Sequence, residues 1–119
     1  MTNTIIYKIC TAAEWADAAR TGAFTGSAVD IQDGFIHFST AGQVAETARR
    51  HFAGQSDLVL VTVDTGKLNT PLIWEESRGG ALFPHLYGVL PVTAAVDVTP
   101  LPWNDGVHTF PTGLADAGR

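Results

Sequence analysis

The chain has 119 residues, of which 45% are hydrophobic, and its 7 basic and 12 acidic side chains give a formal net charge of −5. This length and composition predict one globular domain with a packed core and exclude a disordered chain. The acidic balance argues against non-specific binding to nucleic acids or anionic membranes, because both depend on clusters of Lys and Arg. Cys10 is the single cysteine, which excludes an intramolecular disulfide and a cysteine-based zinc site.

The sequence shows no secretory signal and no stretch near the ~18 apolar residues of a membrane span. We therefore expect a cytoplasmic protein without membrane association. The four histidines form no local pair at a zinc-binding spacing, so no metal site is expected.

The first third of the chain predicts a strand, a helix and a loop. Residues 4–10 are rich in Ile and Tyr and predict a strand. Thr11 and Glu14 form a capping-box pattern that predicts a helix start, and Gly22 predicts its end. Residues 21–32 are polar and contain glycine, which indicates a loop.

A second strand and a second helix follow. Residues 35–39 predict the strand, and Thr40 with Gln43 repeats the capping-box pattern. Gly54 suits the end of this helix. Its apolar stripe is formed by Val44, Ala45, Ala48 and Phe52.

The second half of the chain predicts mostly strands. Residues 58–63 form a near-continuous apolar run, typical of a central strand buried on both faces. Shorter strands are predicted over residues 72–74, 83–90 and 93–98. The expected fold is a single α+β domain over residues 1–119 with two early helices. Its core covers about residues 4–99, and residues 100–119 form an irregular tail.

The most informative segment joins an Asp-Gly turn to a short apolar strand and then to a helix start. Residues two apart in a strand share a face. Phe35, His37 and Ser39 therefore point one way, whereas Ile36 and Phe38 point to the core. A strand end beside a helix N-terminus is a frequent ligand site.

The same alternation recurs in the predicted strand over residues 83–90. Phe83, His85 and Tyr87 share a face opposite Leu86. If the faces of the two strands meet, they form a pocket with aromatic walls and two imidazoles. The alternative is that each polar group is a hydrogen-bonded structural residue of a half-buried strand.

A third polar segment covers residues 74–80. Glu75 and Glu76, followed by Arg78 and two glycines, have the composition of a mobile ligand clamp, in which Arg78 offers a fork for phosphate or carboxylate. Trp74 is either a core residue or a stacking platform for a base. The alternative is a solvated turn between strands.

Together these three motifs resemble the signature of a small bacterial family, domain of unknown function family 952. The resemblance covers roughly Ile6 to Val98. It implies a compact relative of the ADP-ribosyltransferase fold, a superfamily that includes NAD-using toxins and RNA 2′-phosphotransferases. The implied architecture is a split, mostly antiparallel sheet around a nicotinamide-nucleotide cleft, with NAD as cofactor and a small-molecule nucleotide as partner.

The resemblance also implies roles for the residues in these motifs. His37 and Ser39 match the groups that hold the ribose, and Tyr87 matches the aromatic ring that stacks on nicotinamide. Glu75 or Glu76 matches the catalytic glutamate of the transferring enzymes. The expected catalytic residues are His37, Glu75, Glu76 and His85, and the expected cofactor-binding residues are His37, Ser39, Trp74, Arg78 and Tyr87.

Two other functions remain open at this point. One is a non-enzymatic nucleotide-binding module on the same fold. The other is a small hydrolase that uses Ser39 with His85, although no third group to orient the pair is evident. The acidic charge weighs against an RNA acceptor, while a local basic groove from Arg49, Arg50 and Arg78 stays possible.

Overall fold

The computed structural model describes residues 4–111, apart from the side chain of Arg78. In this part of the chain three α-helices and ten strands are present, with short 3-10 turns at Thr65–Lys67, Arg78–Gly80 and Val92–Ala94. In chain order they are β1 Ile5–Thr11, α1 Ala12–Thr21, β2 Ala23–Phe24, α2 Ala28–Asp33, β3 Ile36–His37, α3 Ala41–His51, β4 Leu58–Asp64, β5 Leu72–Glu76, β6 Leu82–Leu86, β7 Leu90–Pro91, β8 Ala95–Leu101, β9 Trp103–Asn104 and β10 Val107–His108.

Two three-stranded antiparallel sheets form the frame, in the orders β1-β4-β8 and β3-β6-β5. A single antiparallel bridge joins their edges in the described chain. In this bridge the backbones of Tyr7 and Ser39 exchange hydrogen bonds of 2.8 and 2.9 Å. The predicted α+β class with antiparallel sheets is confirmed, although α2 brings the number of helices in residues 4–111 to three rather than two.

The central strand β4 is buried on both faces, as its apolar run predicts. Leu60 contributes to a cluster that includes Val44 and Ala48 of α3. Val61 contributes to a second cluster, which contains Trp15 of α1. The first sheet therefore separates two apolar layers, and α3 covers one of them while α1 covers the other.

The predicted helix boundaries hold where local capping decides them. The Thr11 hydroxyl accepts a hydrogen bond from the Glu14 N–H at 3.0 Å, and Glu14 accepts one from the Thr11 N–H at 2.8 Å. Gly22, with a φ of 96°, ends α1. The predicted end of α3 at Gly54 is wrong, since the helix closes at Phe52. Ala45 does not join the buried stripe but is exposed.

The prediction of a loop over residues 21–32 is wrong. This segment contains β2, which pairs with β7, and the six-residue helix α2. A helix of fewer than two turns is too short to show an apolar period. Its start is a capping box formed by Ser27 and Asp30, and Asp30 is also buried and bonded to the distant Lys8.

Two predictions for the second half also need correction. Residues 83–90 are not one strand, because β6 and β7 belong to different sheets. The tail from Pro100 is not irregular up to residue 111, since β8 extends to Leu101 and β9 and β10 form a hairpin. An Asp-Gly pair with positive φ closes this hairpin, as hairpin turns require. The predicted irregular tail over residues 112–119 lies outside the described residues.

None of the helices in residues 4–111 has the length and apolarity that crossing a membrane requires.

Gly88 follows Tyr87 where the chain leaves β6, and its lack of a side chain allows a close approach. A Cβ atom at this position would lie 2.8 Å from the Thr70 hydroxyl oxygen and 3.3 Å from the Thr70 methyl carbon. The φ of Gly88 is not in the left-handed region, so the backbone itself would accept alanine. The contact with Thr70 therefore explains the glycine.

We expect Gly88→Ala to lower the free energy of unfolding by about 1 kcal/mol or more, because the methyl group overlaps Thr70. Urea unfolding measures this change. In the double variant Thr70→Ala/Gly88→Ala the overlap is removed, and most of the loss should be recovered. A stabilised single variant, or simple additivity in the double variant, would show that the contact does not matter, since Gly→Ala at a relaxed site stabilises by about 0.4–1 kcal/mol.

Candidate functional site

The two histidine-bearing faces meet, as strand alternation predicts. His37 of β3 lies directly opposite His85 of β6, and their ring centroids are 5.3 Å apart. The Phe35 ring stacks on His85 at 4.2 Å and packs at an angle against His37 at 4.6 Å. Tyr87 completes the group at 5.1 Å from Phe35. These four rings are called the aromatic cluster below.

Glu75 adds a carboxylate to the aromatic cluster from the edge strand β5. In the β5–β6 register Glu75 pairs with Phe83 and Ile73 pairs with His85, so these residues share the face of His85. Glu75 Oε1 lies 2.7 Å from His85 Nδ1, and the Tyr87 hydroxyl donates to both carboxylate oxygens at 2.9 and 3.1 Å. The hydrogen bond from His85, and then that from Tyr87, lower the pKa of Glu75, which is therefore ionised at neutral pH.

Asp30 is a second carboxylate, and it is almost completely buried beneath His37. It accepts hydrogen bonds from the backbone N–H groups of Ser27 at 2.9 Å and of His37 at 3.2 Å. His37 Nδ1 lies at 2.6 Å and Lys8 Nζ at 2.8 Å. Burial alone would raise the pKa of Asp30, but the hydrogen bond from His37 and the charge of Lys8 outweigh it and hold the pKa well below its ordinary value of 3.8.

His37 is held at both ring nitrogens. Its Nδ1 faces Asp30, and its Nε2 lies 3.0 Å from Asp33 Oδ2, at the end of α2. The ring of His37 therefore lies between two carboxylates, with Asp30 bonded at Nδ1 and Asp33 close to Nε2.

A cavity of about 500 Å³ opens beside the two histidines, which both contribute to its wall. Lys8 contributes a cationic side chain to the wall and Asp33 an anionic one. The wall also contains hydrogen-bonding side chains on the side of α3, namely Ser39, Thr47 and His51. In residues 4–111 no group of three His, Cys, Asp or Glu side chains is placed to hold a metal ion.

Ser39 lies in the cavity wall, where sequence reasoning placed it, but it is not paired with a histidine. Its side chain is buried, and its hydroxyl lies 3.0 Å from the Thr47 hydroxyl. Neither His37 nor His85 is a hydrogen-bond partner of this hydroxyl in the described chain. The strand predicted to carry Ser39 is also shorter than expected, since β3 ends at His37.

Two other predicted residues do not join the site. Glu76 and Trp74 alternate with Glu75 along β5, so they lie on the opposite face of the sheet. The prediction that both glutamates belong to a mobile clamp is also wrong, because they lie in the strand β5. Only the short turn at 78–80 is irregular. The predicted side-chain role of Arg78 falls outside the described part of the structure.

Sequence reasoning missed three residues of the site, namely Lys8, Asp30 and Asp33, whereas Phe35 lies on the face predicted for it. One signal was present, because Lys8 interrupts an otherwise apolar strand. A charge in a buried strand needs a partner. The pattern Ser27-Ala-Val-Asp30 is a second signal, since Ser followed three residues later by an acid marks a helix start.

The architecture and the site can now be compared with known proteins. A family model described as a protein of unknown function, DUF952, matches residues 9–98. The chain belongs to this family. All three motifs lie within this range, so the family membership that they predict is confirmed.

Solved structures of one bacterial protein are similar to this DUF952 member. The crystal structure of protein CC0527 from Caulobacter crescentus has 50% sequence identity and a TM-score of 0.84, over 89% of this chain and 94% of that chain. The solution NMR structure of CC0527 has 50% identity and a TM-score of 0.77, over 87% and 90% of the two chains. A search of curated proteins found no match.

The buried Asp30 makes stability depend on pH. Its pKa in the folded protein is below the unfolded value of 3.8, so its contribution is fully present above pH ~4 and is lost as the pH falls further. We expect Asp30→Asn to lower the free energy of unfolding by about 3–5 kcal/mol at pH 7, because Lys8 stays buried without its counter-charge. Urea unfolding at pH 7 and through the acidic range measures both effects.

The matched control is Asp17→Asn, which removes an exposed ion pair with Arg20. We expect Asp17→Asn to lower the free energy of unfolding by less than about 1 kcal/mol. The variant Asp30→Asn should also lose less stability than the wild type between pH 4 and pH 2. If Asp30→Asn and the wild type lose the same free energy of unfolding over this pH range, Asp30 is not the source of the acid sensitivity.

Proposed function

We propose that this protein binds NAD or an ADP-ribose-related nucleotide in the cavity beside His37 and His85, on an ADP-ribosyltransferase-like fold. The observation that carries the proposal is the convergence of His37, His85 and Tyr87 on Phe35, with Glu75 bonded to His85 and Tyr87, next to a cavity of about 500 Å³. Such a volume is in the range of small-molecule sites. The ligand class comes from the family resemblance, and the chemistry of the wall is compatible with it.

The charge of the wall supports an anionic ligand although the chain is acidic overall. Lys8 and three histidines line the cavity, against one carboxylate, Asp33, and Lys8 is also paired with the buried Asp30. A diphosphate accepts charge-assisted hydrogen bonds from ammonium groups, and the Lys8 ammonium has three donors, of which Asp30 and the His37 carbonyl take two. The hydroxyl of Ser39 can bond a ribose hydroxyl. The ring of Phe83 in the cavity wall offers a stacking surface for nicotinamide or adenine.

Transfer of ADP-ribose is the activity that we propose for the bound nucleotide. Cleavage of the bond between nicotinamide and ribose develops positive charge on the ribose, and an ionised carboxylate close by stabilises that charge. Glu75 does not line the cavity itself but is bonded to His85 of its wall, and its lowered pKa keeps it charged at neutral pH, so its charge acts on the ribose from behind His85. Glu76 faces away from the cluster, so the proposal assigns this role to Glu75.

A serine hydrolase receives no support from the geometry. A nucleophilic serine needs a base within hydrogen-bond reach. The partner of the Ser39 hydroxyl is Thr47, which is not a base. Ser39 is therefore treated as a ligand-binding group.

Isothermal titration with NAD, ADP-ribose and AMP tests the binding. We expect saturable heat for NAD or ADP-ribose, and we expect His37→Ala to weaken the affinity by about 10–100-fold, the loss for one or two hydrogen bonds to a charged group. The matched control is His108→Ala, because His108 lies in the β9–β10 hairpin and bonds the backbone of Gln55.

Circular dichroism must show that both variants are folded. The absence of both binding heat and a thermal shift with millimolar ligand would contradict the binding proposal. Equal affinity of the folded His37→Ala variant would remove His37 from the site. Binding without any release of nicotinamide would identify a non-enzymatic nucleotide-binding module.

A further inference from the structure

We infer that His85, oriented by Glu75, is a general base that takes the proton of a hydroxyl or water acceptor in the cavity. The inference rests on the proposed function and deepens it, because it names the class of acceptor. It follows from a difference between the two histidines of the aromatic cluster. Both contact a carboxylate through Nδ1, but only one of them keeps an open nitrogen.

The orientation of His85 follows from its partner. Glu75 is an ionised carboxylate and only accepts hydrogen bonds, so the proton of the neutral imidazole must sit on Nδ1, which is 2.7 Å away. The lone pair is then on Nε2. A histidine with this arrangement accepts a proton at Nε2, and the carboxylate stabilises the resulting cation.

The second nitrogen of His85 opens onto the cavity. Its Nε2 has no hydrogen-bond partner among the described residues. No fully buried side-chain nitrogen or oxygen in the described chain lacks a partner, so this atom is accessible rather than enclosed. His85 is 5% exposed as a residue and belongs to the cavity wall, which therefore supplies the access.

His37 is less suited to this task. Both of its ring nitrogens face carboxylates, since Nδ1 lies 2.6 Å from Asp30 and Nε2 lies 3.0 Å from Asp33. The two imidazoles are 5.3 Å apart, but only His85 has a ring nitrogen without a carboxylate partner.

The proposed step balances as follows. The acceptor O–H gives its proton to His85 Nε2, and the acceptor oxygen forms a bond to C1′ of the nicotinamide ribose. The C1′–N bond breaks, and its electron pair neutralises the pyridinium nitrogen, so nicotinamide leaves uncharged. His85 becomes an imidazolium beside the Glu75 carboxylate and later loses its proton to water. An acceptor that is already anionic would not need this base, so the site favours hydroxyl groups or water.

The first test measures how fast the His85 ring is modified in the absence of any nucleotide. Diethyl pyrocarbonate modifies unprotonated, accessible imidazole nitrogens, and peptide mass mapping gives the rate for each histidine. We expect His85 to be modified faster than His37. In Glu75→Gln the amide can donate to Nδ1, which moves the proton to Nε2, so modification of His85 should slow at least ~10-fold while that of His108 stays unchanged. Modification of His37 before His85, or no effect of Glu75→Gln on His85, overturns the inference.

The second test follows nicotinamide release from NAD by chromatography, in water alone and with methanol as a probe hydroxyl. We expect His85→Gln to lower kcat by ~10²–10⁴-fold with a small change in NAD affinity, as for loss of a general base. Added imidazole should restore part of the rate in His85→Ala, which a purely structural role would not allow. His108→Gln is the matched control and should keep the wild-type rate.

The outcomes separate this inference from the proposed function. The general-base inference is overturned if the wild type binds NAD but releases no nicotinamide, either in water or with methanol. It is also overturned if His85→Gln releases nicotinamide at the wild-type rate. In both cases the binding proposal survives. If the wild type binds no NAD, both fail. Free ADP-ribose in water identifies water as the acceptor, and a methyl glycoside of ADP-ribose identifies the hydroxyl; either product supports the inference.

Discussion

The structure depends on the buried pairing of Asp30 with Lys8 and His37. Removing a carboxylate and an ammonium group from water costs several kcal/mol per ion, and only close partners offset this cost. Asp30 has four donors within 3.2 Å, from the strands β1 and β3 and from the residue before α2. Three segments that are distant in sequence must therefore meet at one carboxylate. The position of His37 follows from that meeting.

The same type of contact, a carboxylate at the Nδ1 atom of a histidine, has different consequences at the two sides of the aromatic cluster. Beneath His37 the carboxylate is buried and a second one, Asp33, closes the other ring nitrogen. Beside His85 the carboxylate is Glu75 at a sheet edge, and His85 itself lines the cavity. One imidazole thus has a carboxylate at each ring nitrogen, and the other has one at Nδ1 alone. This asymmetry is the reason to consider catalysis rather than binding alone.

The site also shows that the net charge of a small protein does not describe the charges around one cavity. The chain carries a formal charge of −5, yet the cavity wall contains Lys8 and three histidines with a single carboxylate. The acidic residues are mostly elsewhere on the surface, for example in the ion pairs of Asp17 and Glu46. A ligand responds to the local arrangement of donors within a few ångströms, because water and salt screen the more distant charges.

The sequence by itself determined the family, the α+β class, the buried strand β4, the helix starts at Thr11 and Thr40, and the shared face of His37 and His85. Each of these follows from a local rule: a capping pair three residues apart, an apolar run, or the period of two in a strand. The tertiary structure alone decided the buried role of Asp30, the exclusion of Trp74 and Glu76 from the cluster, and the choice of Glu75. The physical reason is that register between strands and the partner of a buried charge are long-range properties: Lys8 and Asp30 are 22 positions apart, and no local pattern states that a lysine in an apolar strand will meet an aspartate in a segment that reads as a loop.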